Sequence, residues 1–166
     1  MSFCVVGALG SEHGFFVQCT IDNEPTNIRL VDIYLPWEFE FDHLRDQKIR
    51  EAQGFVLVYS VTSRQSFEEV PMFYRRVLRI KRYPDTPVLI VANKCDRKSE
   101  REVTPEQGRE LASNLNCRFY ETSAKYDVNV DASMFDILQH TKRYRPERRS
   151  STRTNKDKRN SDCVVL

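Results

Sequence analysis

Apolar positions along this chain follow two alternating rhythms. Short, largely apolar runs recur at "SFCVV" (2–6), "GFVLVYSV" (54–61) and "PVLIVA" (87–92), with a more mixed one at "CRFYET" (117–122). Apolar runs of this length fit strands covered on both faces, as in parallel sheets. Two further runs, "FFVQCTI" (15–21) and "TNIRLVDI" (26–33), flank Asp22-Asn23. That pair tolerates positive φ, so the segment reads as a β-hairpin. Between the runs the spacing turns helical. "FDHLRDQKIREA" (41–52) sets Leu44 and Ile49 in a charged helical pattern. "SFEEVPMFYRRVLRIKR" (66–82) puts Phe67, Val70, Phe73, Val77 and Ile80 on one face. Pro71 then belongs in the first turn, where proline is tolerated. "TPEQGRELASNLN" (104–116) offers Thr104 as N-cap, Pro105 at N1 and Gln107 at N3, a capping box. "DASMFDILQHTKRY" (131–144) is the last helix. Strands alternating with helices predict an α/β fold, a mostly parallel sheet wound by crossovers with helices on both faces.

The rhythm stops after Arg145. "PERRSSTRTNKDKRNSD" (146–162) is basic, rich in Ser and Thr, and nearly devoid of apolar residues. It cannot bury enough surface to offset its ordering entropy, so a disordered tail is expected over 146–166, after a folded domain over 1–145. Charge sharpens this division. Residues 142–162 hold nine Lys or Arg and three acids, a net +6, so the remaining chain carries −4 of the total +2. A basic tail on an acidic body points to an anionic surface as partner. The tail lacks interleaved aromatics, which disfavours nucleic acid.

The five cysteines (Cys4, Cys19, Cys95, Cys117 and Cys163) show neither metal spacing nor an even count. That argues against a disulfide framework or a zinc site. The start "MSFCVVGALG" has no basic segment ahead of an apolar one, and no apolar run approaches ~18 residues. These features lead to an expected cytoplasmic location.

Two short motifs carry candidate chemistry. "NKCD" (93–96) follows the run "PVLIVA", and "ETSAK" (121–125) follows "CRFY". In doubly wound sheets ligands bind beyond the carboxyl ends of strands, where both motifs fall. With "LRDQKIREAQGFVLVYSVTSRQSFEEV" (44–70), they make the chain resemble the Ras family of small GTPases, from about Gln18 to Arg143 and again at the last four residues. The resemblance implies a Ras-like P-loop NTPase fold with a six-stranded sheet. It also implies GTP and GDP as ligands with Mg2+, and a signal-transduction role. Asp96 would accept from guanine N1–H and the exocyclic amine, a pair that adenine does not offer. The stem of Lys94 would lie along the base, and Asn93 would tie the base loop to the phosphate loop. The Ala124 amide would donate to guanine O6, with Ser123 and Lys125 shaping that turn.

The phosphate half departs from the family. A P-loop needs Gly, four residues, Gly, Lys and a hydroxyl residue. The segment "GALGSEHG" (7–14) keeps Gly7, Ala8 and Gly10 but has Glu12 for the second motif glycine, His13 for the lysine and Gly14 for the hydroxyl. Loss of one charge-assisted hydrogen bond costs roughly 1.5–3 kcal/mol. Adding the repulsion of Glu12 gives an expected weakening of at least about a hundredfold. Residual phosphate binding and a plain strand-to-loop turn both remain open readings. Relative to the family, the first helix and first switch loop are missing between this loop and the hairpin, and the switch threonine goes with them. Asp32 fits the metal-side acid. Leu35 replaces the glycine of the next loop, and Pro36 or Trp37 stands near the water-positioning glutamine.

Two functions from different classes follow. One is a membrane-anchored guanine-nucleotide switch; the alternative is a pseudo-GTPase interaction module that binds weakly and hydrolyses nothing. The ending "CVVL" (163–166) reads as a prenylation signal, with the terminal Leu favouring geranylgeranyl on Cys163. With the basic tail as second signal, this places the protein on the cytoplasmic face of a plasma or internal membrane. Finally, a missing helix should leave an apolar strip on the sheet, capped in part by Phe15 and Phe16 or covered by a partner.

Overall fold

The computed structural model describes residues 2–6, 14–32 and 43–144, with the side chains of 16–32 and 46–144. The strands among them are β1 (Ser2–Val6), β2 (Gly14–Ile21), β3 (Glu24–Asp32), β4 (Gly54–Ser60), β5 (Val88–Asn93) and β6 (Arg118–Glu121). The helices are α1 (His43–Glu51), α2 (Arg64–Lys81), α3 (Pro105–Asn114) and α4 (Val130–Arg143), with a short 3-10 turn at Lys98–Glu100. The strands form one six-stranded sheet in the order β2-β3-β1-β4-β5-β6. Every neighbouring pair is parallel except β2 with β3. The expected mostly parallel α/β sheet is therefore present.

Local chemistry accounts for the elements. Asp22 and Asn23 form the two-residue hairpin loop at φ 52° and 61°, the left-handed geometry that matches strand twist. At α3 the Thr104 hydroxyl accepts from Gln107 N at 3.3 Å, and Gln107 Oε1 accepts from Thr104 N at 3.0 Å. The capping box stands as read from the sequence. In β4, consecutive Phe55, Val56 and Leu57 are all buried. Successive strand side chains point to opposite faces, so both faces need cover. Helices α2 and α4 both pack on β4 and supply it. The apolar face of α2 is as expected: Val70 and Val77 are buried, with Phe67, Phe73 and Ile80 packed against the core.

Two expectations change. Pro71 does not lie in the first turn of its helix. The helix starts earlier, because Ser63 is the N-cap and its hydroxyl accepts from Ser66 N at 3.3 Å. Pro71 thus sits in the helix body, where it cannot donate to the carbonyl of Phe67. The second concerns the apolar strip. Strand β2 begins at Gly14, and its pairing sets Phe16 opposite Arg29 and Val17 opposite Ile28. Paired residues share a face. Phe16 is 77% exposed, with the Arg29 guanidinium 5.9 Å from its ring centre. Ile21 and Ile28 are buried on the other face, where α4 packs and Lys142 Nζ donates to Ile21 O at 3.0 Å. Phe16 therefore caps nothing on that face. Val17, on the same face as Ile28, is 45% exposed in the middle of β2. The side chain of Phe15 lies outside the described ones.

Between β1 and β2 run only residues 7–13, and among the described residues no helix joins these strands. Gly7, Ala8, Gly10, Glu12 and His13 lie outside the described residues, as do Leu35, Pro36, Trp37, the tail 146–166 and Cys163.

Candidate functional site

Strands β5 and β6 are parallel neighbours, so their carboxyl ends deliver Asn93 and Glu121 to one edge of the sheet. The loops that follow hold both motifs. Chain geometry turns sharply at Lys94, whose φ of 65° is left-handed. Its exposed side chain stands beyond the sheet edge. Asn93 Oδ1 accepts from Lys94 N at 2.8 Å, from Thr122 Oγ1 at 3.3 Å and from Ala124 N at 3.2 Å. One side-chain oxygen thus organises its own loop and the neighbouring one. Backbone bonds add to this: Cys95 N donates to Thr122 O at 3.0 Å, and Thr122 N to Ala92 O at 2.8 Å.

Asp96 is fixed from the second loop. Buried Ser123 donates its hydroxyl to Asp96 Oδ1 at 2.5 Å. That bond, the strongest influence on Asp96, holds its carboxyl below the usual range despite some desolvation; Lys125 and Arg97 act in the same direction. The group is therefore an anionic acceptor at neutral pH. The Ser123 oxygen also accepts from Tyr126 N at 3.3 Å. Ser123 and Val128 exchange backbone bonds of 3.1 and 3.0 Å that close the 123–128 turn. Lys125 Nζ lies 4.9 Å from the Tyr126 ring centre, a cation–π contact on the exposed rim.

The structure thus brings Asn93, Asp96, Ser123 and Ala124 together. Two implied roles look different in detail. The Ala124 amide, expected to face a base oxygen, donates to Asn93 Oδ1 here. Asn93 links the 93–96 and 121–125 loops to each other through Oδ1; the phosphate loop it was expected to hold lies outside the described residues.

At the other side of the sheet, register places Asp32 beside Val5, one residue before the end of β1. Its Oδ1 is buried and has no hydrogen-bond partner among the described residues. Desolvation raises the pKa of this carboxyl. A buried orphan carboxylate oxygen suits a cation. Mg2+ commonly takes one or two carboxylates and completes its shell with water and substrate phosphate. Among the described residues no cluster of three or more His, Cys, Asp or Glu could hold a metal unaided. Asp32 therefore fits the protein side of a magnesium site shared with phosphate and water.

Sequence reasoning missed Arg101 and Asn129. The Arg101 guanidinium forks onto Glu121, at 2.6 Å to Oε1 and 3.3 Å to Oε2, and its NH1 group donates to Val103 O at 3.1 Å. Asn129, at φ 57°, donates Nδ2 to Glu121 O at 2.8 Å. Neither belongs to a short motif, and no spacing rule would have paired Arg101 with a residue twenty positions on.

Comparison with known proteins gives a consistent picture. A family model described as "Ras family" matches residues 12–143. A "Ras-like protein" from Laccaria bicolor is 40% identical over 136 residues, 82% of this chain and 64% of its own length. The chain thus spans slightly less than two thirds of that relative. The match begins upstream of Gln18, where the sequence resemblance begins, and includes the whole of β2.

Proposed function

The chain belongs to the Ras family of small GTPases, and on that premise we propose that it recognises the guanine base of GTP or GDP at the carboxyl ends of β5 and β6. The observation that carries this reading is the Ser123–Asp96 bond of 2.5 Å. It leaves an ionised carboxylate, fixed in direction, at the mouth of two loops that are themselves cross-bonded. An ionised acceptor pairs with the N1–H and exocyclic amine of guanine. Adenine presents an acceptor at N1 and only a hydrogen at C2, where guanine has its amine, so Asp96 would be left unpaired against it. Sites built on hydrogen bonds reject a ligand that leaves their polar groups unpaired. The Ala124 amide supplies the donor for the base oxygen after leaving Asn93.

Phosphate binding is the weaker half. Asp32 would hold one position of a Mg2+ ion, which supplies charge neutralisation between phosphate oxygens when bound. His13 and Glu12 stand where the family has the phosphate lysine and a glycine. Pro36 or Trp37 stands near the place of the family's water-positioning glutamine, and neither side chain can orient water as an amide does. The chain accordingly binds nucleotide chiefly through the base and turns it over slowly or not at all. The specific observation that favours the second reading, a pseudo-GTPase interaction module, is this same substitution of Glu12, His13 and Gly14 in the phosphate loop.

Affinity of the purified chain for GDP and GTP, with and without Mg2+, tests the proposal beside Asp96→Ala. Micromolar or tighter binding lost on substitution supports guanine recognition. Absence of binding at millimolar nucleotide supports the pseudo-GTPase instead. We further propose that geranylgeranyl on Cys163 and the basic tail anchor the protein to an anionic membrane surface on its cytoplasmic face. Cys163→Ser should release it to the soluble fraction, and unchanged membrane recovery would reject the anchor.

A further inference from the structure

The two loops of the candidate guanine site are cross-bonded at their tips, but the second loop also has a foundation. Glu121 is the last residue of β6, and residues 122–128 turn directly above it. Two groups meet on Glu121. The Arg101 guanidinium takes its carboxylate with both arms, and the Asn129 amide takes its carbonyl. The side chains of Arg101 and Glu121 are only 17% and 24% exposed, so the pair is partly shielded from water and salt. Arg101 is itself held. Its NH1 group reaches Val103 O, and the amides of Glu102 and Val103 both donate to Val61 O, at 2.8 and 3.1 Å, just past the end of β4. The guanidinium therefore stands on the central sheet and grips the stem of the outer loop. It reaches Glu121 from the segment that directly follows the first base loop and its 3-10 turn.

We propose that Arg101 is a positioning residue of this site, whose fork on Glu121 sets the 122–126 turn at the height where Ser123 meets Asp96. The inference rests on the guanine reading for its consequence, but not for its structural content. A planar fork fixes both distance and rotation of the carboxylate, whereas an ammonium fixes neither. Without it, Glu121 can swing, and the turn loses one of the two groups anchored beneath it.

The test has two arms. In the nucleotide-free protein, amide hydrogen exchange is read at Ser123 and Val128, whose amides close the turn, against amides of α2 as internal reference. Arg101→Ala should raise exchange at Ser123 and Val128 about tenfold or more, with α2 unchanged. Arg101→Lys keeps the charge and should recover little of this protection. The exchanged pair Arg101→Glu with Glu121→Arg should recover more. Turn amides that exchange as in the wild type in Arg101→Ala, or a lysine variant that restores protection fully, would overturn the proposal. In the second arm, GDP is compared with inosine diphosphate, which lacks the exocyclic amine. Arg101→Ala should shrink the preference for GDP at least threefold, and an unchanged ratio would count against the positioning role. A wild-type chain that binds neither nucleotide would refute the guanine reading, while the exchange arm would still decide the role of Arg101.

Discussion

Asn93→Ala is the substitution that tests most sharply how the two loops are held. It removes one oxygen that accepts from Lys94 N, Thr122 Oγ1 and Ala124 N at 2.8, 3.3 and 3.2 Å. A typical hydrogen bond contributes about 0.5–1.5 kcal/mol net. The two contacts to exposed amides belong at the low end, because water can replace Asn93 there. Thr122 is 4% exposed, so its hydroxyl loses a partner that water reaches poorly. Leaving such a group unsatisfied costs about 1–3 kcal/mol. The expected total is a loss of about 2–4 kcal/mol, a large share of the stability of an ordinary domain. Equilibrium urea unfolding of the wild type and variant, fitted with a common slope, measures it. Asn93→Asp keeps the acceptor oxygen and should lose clearly less. A loss below about 0.5 kcal/mol for Asn93→Ala, or equal losses for the two variants, would refute the reasoning.

Four further outcomes are expected. The buried Tyr59 hydroxyl has no partner among the described residues, and burial pushes its pKa far above the usual phenol value. Tyr59→Phe should therefore stabilise the protein, by roughly 1 kcal/mol in urea unfolding. A Cβ on Gly108 would lie 2.5 Å from that hydroxyl and 2.6 Å from Phe119, so Gly108→Ala should destabilise, and less so when combined with Tyr59→Phe. Asp32 has a raised pKa from desolvation, so its ionisation works against folding: stability is fullest below about 3.8 and falls as pH rises through the folded value. Asp32→Asn should accordingly raise the melting temperature of the metal-free protein at neutral pH, and an unchanged or lower value would show that the carboxylate is satisfied. His140 carries the opposite linkage. Burial, then Arg118, lowers its pKa, and the buried Nδ1 has no partner among the described residues. Its contribution is present above about 6.5 and lost as pH falls through the folded value, so His140→Gln should flatten the pH dependence of stability below neutrality. An unchanged slope would contradict this.

Much of the fold was legible because its signals are local. Asp22-Asn23 names its own turn, Thr104-Pro105 with Gln107 names its own cap, and the runs in β4 and β5 are apolar for longer than a one-sided strand would be. The two loops of the candidate site were legible because ordered backbone and side chain sit next to each other in "NKCD" and "TSAK". What escaped depends on longer range or on phase. The start of α2 turned on Ser63 and Ser66 acting together, a signal present in the sequence but outweighed by the apolar face further on. Phe16 was misplaced because the strand was read without its pairing register, which alone decides which face it takes. Arg101 reaches Glu121 only after β4, β5 and β6 have been laid side by side, so no reading along the chain could couple them.

The central claim is that the base-reading end of the nucleotide site is built into these two loops. Calorimetric affinities for GDP and ADP, measured on the same chain with Mg2+, test it most directly. The account predicts that GDP binds at least about a hundredfold tighter than ADP and that Asp96→Ala erases the difference. Equal affinities for the two, or a preference that survives Asp96→Ala, would contradict it.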